Sequence, residues 1–302
     1  MIAFLAIAAA EPPRERVIRG EGIIGAIVAG RSVRLRVDPA APAMPLIDRD
    51  LAERAHLKMT GSWGVGIGYR IGTGGVMART QVVRIDLGGG TTKRRVGWTD
   101  RPFARVADGS VGPEALSEPI VRFALHAPQP GERTAVFPAV RDSAALGLFG
   151  NFSTTFAVIA VGGEPMRIRF DPYHRRTLAT AGAAVRLARL HDGEVSGDTV
   201  PTEIFFGIER PVRTLTLRTP LALGAVRIAT LGVRTTDDGN AASFREAGAT
   251  VPAADPDEIV VTAKDRKRDI RRDTISLGAD YLSRCSSIVF DRSAKVIRLT
   301  CA

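Results

Sequence analysis

The sequence predicts an all-β protein made of two lobes with the same topology and only a few short helices. Three observations predict it. A strand–turn–strand grammar occurs twice, ending each time in Asp-Pro; each half then closes on a Gly followed by a Leu a few residues later; and helical periodicity is confined to two short segments.

The first copy runs from Gly25 through Gly30 to Asp38-Pro39, and the second from Ala157 through Gly162 to Asp171-Pro172. Each is a short β-branched strand, a glycine turn and a second alternating strand. A period of roughly 130 residues is too long for a solenoid and indicates two halves of one architecture. The closing elements are Val111-Gly112 to Leu116 and Leu277-Gly278 to Leu282, followed by Ile120–Leu125 and Ile288–Asp291. The helical segments are Leu46–Leu57, where Ile47, Leu51 and Ala55 share a face, and Ala179–Leu190.

A chain of 302 residues, 45% hydrophobic and 25% charged, suits one large domain or two smaller ones. The net charge of +10 is nearly all arginine, spread singly along strands such as Arg34-Leu-Arg36 and Arg167-Ile-Arg169. Arginine alternating along a strand reads as a solvated face. The dense run Lys264–Arg272 reads as a surface loop, so no nucleic-acid partner is expected. Residues 1–10 are apolar, end in small residues and resemble a signal peptide that lacks its basic leader; the alternative is an apolar start of a cytosolic protein. No later stretch reaches the ~18 apolar residues that span a bilayer, so no stable membrane insertion is expected. The expected location is periplasmic or secreted.

The two cysteines flank a hairpin-like sequence. If Ile288 faces Arg298 and Phe290 faces Val296, the same register sets Cys285 opposite Cys301, where a disulfide can form. The alternative is two unrelated buried thiols. His56, His126, His174 and His191 are dispersed, so no metal site is expected, and no cofactor motif is present.

The order strand, glycine turn, strand, Asp motif, short helix, Gly-rich hairpin, then Asp108-Gly109-Ser-Val-Gly112-Pro-Glu-Ala-Leu116, is similar to the pepsin/retropepsin-like aspartic-protease family. The resemblance implies an all-β, two-lobed acid-protease fold with an internal pseudo-twofold repeat. Its lobes would span residues 20–130 and 153–302, with an interlobe linker at 131–152. It implies a catalytic dyad at Asp38 and Asp171, and a flap from the glycine-rich stretch around Gly64–Gly75, with Tyr69 able to point into the cleft. In the family each Asp is followed by Thr or Ser and then Gly, whereas here the signatures are Asp38-Pro39-Ala40 and Asp171-Pro172-Tyr173. Proline removes the loop hydroxyl and a backbone N–H. Tyr173 is large enough to part the lobes or fill the cleft, and His174 beside it is a further cleft candidate.

Residues 235–273 lack periodicity and read as a long loop insertion. Within it, 257–263 resembles the TonB box of outer-membrane receptors, although a strand or flap is the competing assignment. The expected function is therefore a catalytically degenerate aspartic-protease homologue whose interlobe cleft binds an extended peptide or protein segment. The alternatives are an active endopeptidase using Asp38 and Asp171, and a structural envelope protein with a filled cleft.

Overall fold

The computed structural model describes residues 14–57, 66–71, 74–145, 149–234 and 273–302. The signal-peptide-like start, Trp63, residues 235–272 of the insertion and the 257–263 motif lie outside the described residues.

Lobe one contains β2 (Ile23–Val28), β3 (Arg31–Val37), β4 (Leu46–Asp48), α1 (Arg49–Arg54), β5 (Ile67–Ile71), β6 (Gly74–Asp86), β7 (Thr91–Thr99), β8 (Gly109–Val111) and a 3-10 turn at Pro113–Ala115. Lobe two contains β11 (Asn151–Val161), β12 (Glu164–Phe170), β13 (Leu178–Ala179), α2 (Ala181–Leu190), β14 (Gly193–Phe205), β15 (Ile208–Leu223), β16 (Val226–Arg234), β17 (Thr274–Leu277) and α3 (Ala279–Leu282). The remaining strands are β1 (Glu15–Arg19), β9 (Ile120–Ala124), β10 (Arg133–Ala145), β18 (Cys285–Asp291) and β19 (Val296–Cys301). The protein is all-β, its helices short and few.

The internal repeat is explicit in the pairing. Lobe one runs β2-β3-β8-β4-β7-β6-β5 and lobe two β11-β12-β17-β13-β16-β15-β14. The senses also agree. β3/β8 and β12/β17 are parallel, β4/β8 and β13/β17 antiparallel, and β4/β7 and β13/β16 parallel. In lobe one, Ile27 and Val28 of β2 also pair with Asp86 and Ile85 of β6, which closes the sheet into a barrel.

The other five strands form a shared sheet, β1-β9-β18-β19-β10, continuous with β11 of lobe two. Strands from the middle and from the C-terminal part of the chain are neighbours there: β9 pairs with β18, and β10 with β19. The core follows the same path. In β3 the inward residues Val33, Leu35 and Val37 are buried while Arg34 faces solvent. Edge-to-face contacts carry the apolar core from Phe123 to Phe290 (5.8 Å between ring centroids) and on to Phe170 of lobe two (6.5 Å). Each such buried aromatic contributes roughly 1.5–3 kcal/mol by burial alone.

Two sequence readings need correction. The hairpin pairs Ile288 with Leu299 and Phe290 with Ile297, one residue away from the expected register. A bulge between Cys285 and Ser287 takes up the extra residue, so Cys285 still faces Cys301 and the two form a disulfide, Cα to Cα 3.8 Å. The solvated-face reading of arginine also fails in part. Arg34 is exposed, but Arg167 is only 6% exposed and the Arg36 side chain 12%. On β12 both faces are covered, so the alternation that marks a half-exposed strand no longer tells inside from outside.

Candidate functional site

β3 and β12 end at Asp38 and Asp171, and the chain treats the two positions alike. The Asp38 N–H donates to the Val111 carbonyl and the Asp171 N–H to the Leu277 carbonyl, both at 2.9 Å. Each Asp carbonyl then accepts from the residue three positions on, Ala41 at 3.0 Å and His174 at 3.1 Å. Gly112 and Gly278 lie where these loops cross. A Cβ on Gly112 would sit 2.3 Å from the Ala41 carbonyl oxygen, and one on Gly278 2.6 Å from the Arg176 backbone, so each crossing admits only glycine. That is the physical content of the Gly-then-Leu element seen twice in the sequence.

Both carboxylates are buried, Asp38 at 6% and Asp171 at 7% exposure. The Asp38 carboxylate accepts from the Ala40 N–H at 2.7 Å. No hydrogen bond reaches the Asp171 carboxylate among the described residues. Burial first, and the Asp171 charge second, push Asp38 up to about 7, against the pull of the Ala40 N–H, Arg36 and Arg169.

The carboxylates line a cleft of about 680 Å³ between the lobes. Tyr173 forms part of its wall and reaches into lobe one. Its hydroxyl is 3.4 Å from the Val37 carbonyl, which it can donate to, and it packs where Gly22 has no side chain. Burial, aided by the Asp38 charge, raises its phenol pKa. His174 lines the cleft too, but both ring nitrogens face backbone carbonyls, Nδ1 that of Arg176 at 2.6 Å and Nε2 that of Glu203 at 2.8 Å. It ties its own loop to β14. Tyr69 lies on β5, its backbone paired with Val76 of β6; the tip of that hairpin, residues 72–73, lies outside the described residues.

Several residues in and beside the cleft were not singled out as site residues from the sequence. Arg36 and Arg169 each stand two residues before an Asp, and Arg36 donates to Glu21 Oε2 at 2.6 Å. The turn between β14 and β15 brings Phe205 and Phe206 against Phe103 of lobe one, with ring centroids 5.7 and 5.1 Å apart. Arg105 and Glu203 add an exposed ion pair across the same junction at 3.3 Å. The repeated Arg-x-Asp-Pro was a readable signal for the first pair. Nothing local marks Phe103, because its partners are a hundred residues away. Among the described residues no group of His, Cys, Asp or Glu is placed to hold a metal ion, and no helix is long and apolar enough to cross a membrane.

No family model matches the chain. A search of curated proteins finds a formamidopyrimidine-DNA glycosylase from Stutzerimonas stutzeri (strain A1501), 36% identical over 80 residues, covering 26% of this chain. The chain spans 30% of that protein's length. Among solved structures, the protease of EIAV complexed with the inhibitor HBY-793 is similar over 36% of this chain and 89% of its own, at 16% identity and a TM-score of 0.24. These likenesses are too short or too loose to place the chain in a family.

Proposed function

We propose that the chain is a two-lobed protein of the pepsin/retropepsin-like aspartic-protease fold whose interlobe cleft binds an extended peptide or protein segment without cleaving it. The observation that carries this reading is the pair of loops after Asp38 and Asp171. Pro39 and Pro172 occupy the positions where a hydroxyl would cross-link the loops, and Tyr173 takes the space beside the carboxylates by reaching Val37. The Ala40 N–H supports one carboxylate, and among the described residues the Asp171 carboxylate has no matching support. A water shared by both carboxylates needs both loops fixed. The cleft suits a peptide: Phe103, Phe205 and Phe206 offer apolar wall, while Arg36, Thr202 and Glu203 offer polar anchors. The disulfide fits an oxidising compartment, in keeping with a periplasmic or secreted protein.

One observation favours a second reading, that of an active aspartic endopeptidase. Asp38 is held protonated up to about 7 beside Asp171, and a carboxyl pair sharing one proton is the state such catalysis uses. The deciding experiment incubates unstructured peptide libraries from about pH 3 to pH 7 with the wild type, Asp38→Ala, and a statine-type mimic. Cleavage that vanishes in the variant and with the mimic establishes the second reading. Peptide binding without cleavage, weakened by Tyr173→Ala, establishes the first; neither binding nor cleavage leaves a filled, structural cleft.

A further inference from the structure

The internal repeat gives lobe two a hairpin, β14–β15, in the place that β5–β6 holds in lobe one. Water treats its two parts differently. Along the middle of β14, from Ser196 to Pro201, every residue is exposed, Val200 at 51%. At the tip Ile204 and Phe206 are buried, Phe206 at 3% exposure. The surroundings of that ring come from both lobes: Phe206 belongs to an apolar cluster with Met44, Leu46 and Val76 of lobe one and Leu178 and Val212 of lobe two, apart from the main core. A hairpin that is wet along its length and dry at its end draws its tertiary burial from the tip.

The tip also carries strain. Phe205 pairs with Ile208, which leaves Phe206 and Gly207 as the two loop residues, with φ of 56° and 67°. Positive φ at both positions suits asparagine followed by glycine and disfavours a bulky aromatic. The chain sets a phenylalanine there, and burial of its ring against lobe one offsets the cost. The fastening around the ring is light. Glu203 accepts from the Gly207 N–H at 2.9 Å, pairs with exposed Arg105 at 3.3 Å, and presents its carbonyl 2.8 Å from His174 Nε2. An exposed ion pair of this kind holds weakly. The pairing of β14 with β15 is interrupted at Ser196/Val200 and Glu203/Phe205, and that of β15 with β16 at Thr216/Leu221, irregularities at which a ribbon bends.

We propose that the hairpin tip is a displaceable plug: the pocket that holds Phe206 between the lobes is the anchor pocket of the cleft, and the segment bound there presents an aromatic pair that takes the place of Phe205 and Phe206. The proposal rests on the peptide-binding reading of the cleft. The ring that fills the pocket displays the chemistry the pocket accepts, a large apolar side chain on an extended backbone. While the plug is seated, the apparent affinity for a ligand falls by the fraction of molecules whose pocket is filled. The cleft is thus restrained by its own chain, and specificity for aromatic segments and the restraint share one pocket.

The test uses the full chain and a labelled peptide with the tip's own sequence, Thr-Glu-Ile-Phe-Phe-Gly-Ile-Glu, beside a control peptide carrying serine in place of both phenylalanines. Phe206→Asn suits the turn and withdraws the ring. It is expected to bind the aromatic peptide at least about tenfold tighter than the wild type does, with the control peptide bound by neither. A second measurement needs no variant: saturating aromatic peptide is expected to quicken amide exchange at residues 203–208 of the wild type, Gly207 above all, as the tip leaves its pocket. Library peptides that bind the wild type and Phe206→Asn equally, or exchange at 203–208 slowed by the bound peptide, overturn the plug and leave the peptide cleft standing. No peptide binding to either form sinks both.

Discussion

The guanidinium of Arg36 lies 4.4 Å from the centroid of the Tyr173 ring, so the residue two before one buried aspartate is clasped by the residue two after the other. The contact crosses between lobes and stacks a cation on an aromatic face. It joins the lobes beside the two buried aspartates.

Removing the clasp is therefore expected to loosen the interlobe junction. Tyr173→Ala loses the stacking and leaves a void beside Gly22, a loss of about 2–4 kcal/mol. Tyr173→Phe keeps the stacking and gives up only the bond to the Val37 carbonyl, about 1 kcal/mol. Urea denaturation of both variants checks the ranking; equal losses would mean the ring contributes nothing beyond its hydroxyl.

Asp38 gives a pH signature. Its folded pKa, about 7, lies above the ordinary carboxylate value of 3.8, so protonation favours the folded state. This contribution is fully present below about pH 4 and is lost as pH rises through about 7, worth on the order of a few kcal/mol. Asp38→Asn cannot ionise. It is expected to flatten the slope of stability between pH 4 and 7 and to exceed the wild type at pH 8, as thermal melts across that range will read.

Phe103 joins lobe one to the turn between β14 and β15. Phe103→Ala removes contacts with both Phe205 and Phe206 and is expected to cost about 2–4 kcal/mol. Amide exchange should quicken first at residues 203–208. Uniform quickening across both lobes would mean that the cluster is not a local fastening.

The disulfide closes a loop with a sequence separation of 16. Cys285→Ser with Cys301→Ser is expected to destabilise by about 3 kcal/mol. The hairpin should still pair, because β18 and β19 are each held by a further neighbour, β9 and β10. A midpoint unchanged by the double substitution would show that the bond adds nothing to a hairpin already fixed on both sides.

Much of this architecture was legible in the sequence because it rests on local patterns. The Asp-Pro repeat, the two helical segments and the Gly-then-Leu closures each depend on residues close in the chain, and they stand at Asp38, Asp171, α1, α2, Gly112 and Gly278. The helices start later than expected, at Arg49 and Ala181, because Leu46–Asp48 and Leu178–Ala179 are first drawn into the sheet beside β8 and β17. The arginines of β12 were misread because period-two alternation assumes one wet face. The Phe103 cluster and the bulge in β18 were not legible: each depends on partners set by tertiary pairing rather than spacing.

The shared sheet gives the molecule a mixed ancestry in space. Although the lobes repeat each other strand for strand, β9 gains its second neighbour, opposite β1, only from β18, and β10 its second, opposite β11, only from β19. A gene fragment ending near residue 130 would carry a complete barrel together with a raw sheet edge, the kind of edge that recruits whatever strand is nearest. Each half is thus a chaperone for the other: two fragments made in the same cell should reassemble through that seam, while either made alone should aggregate.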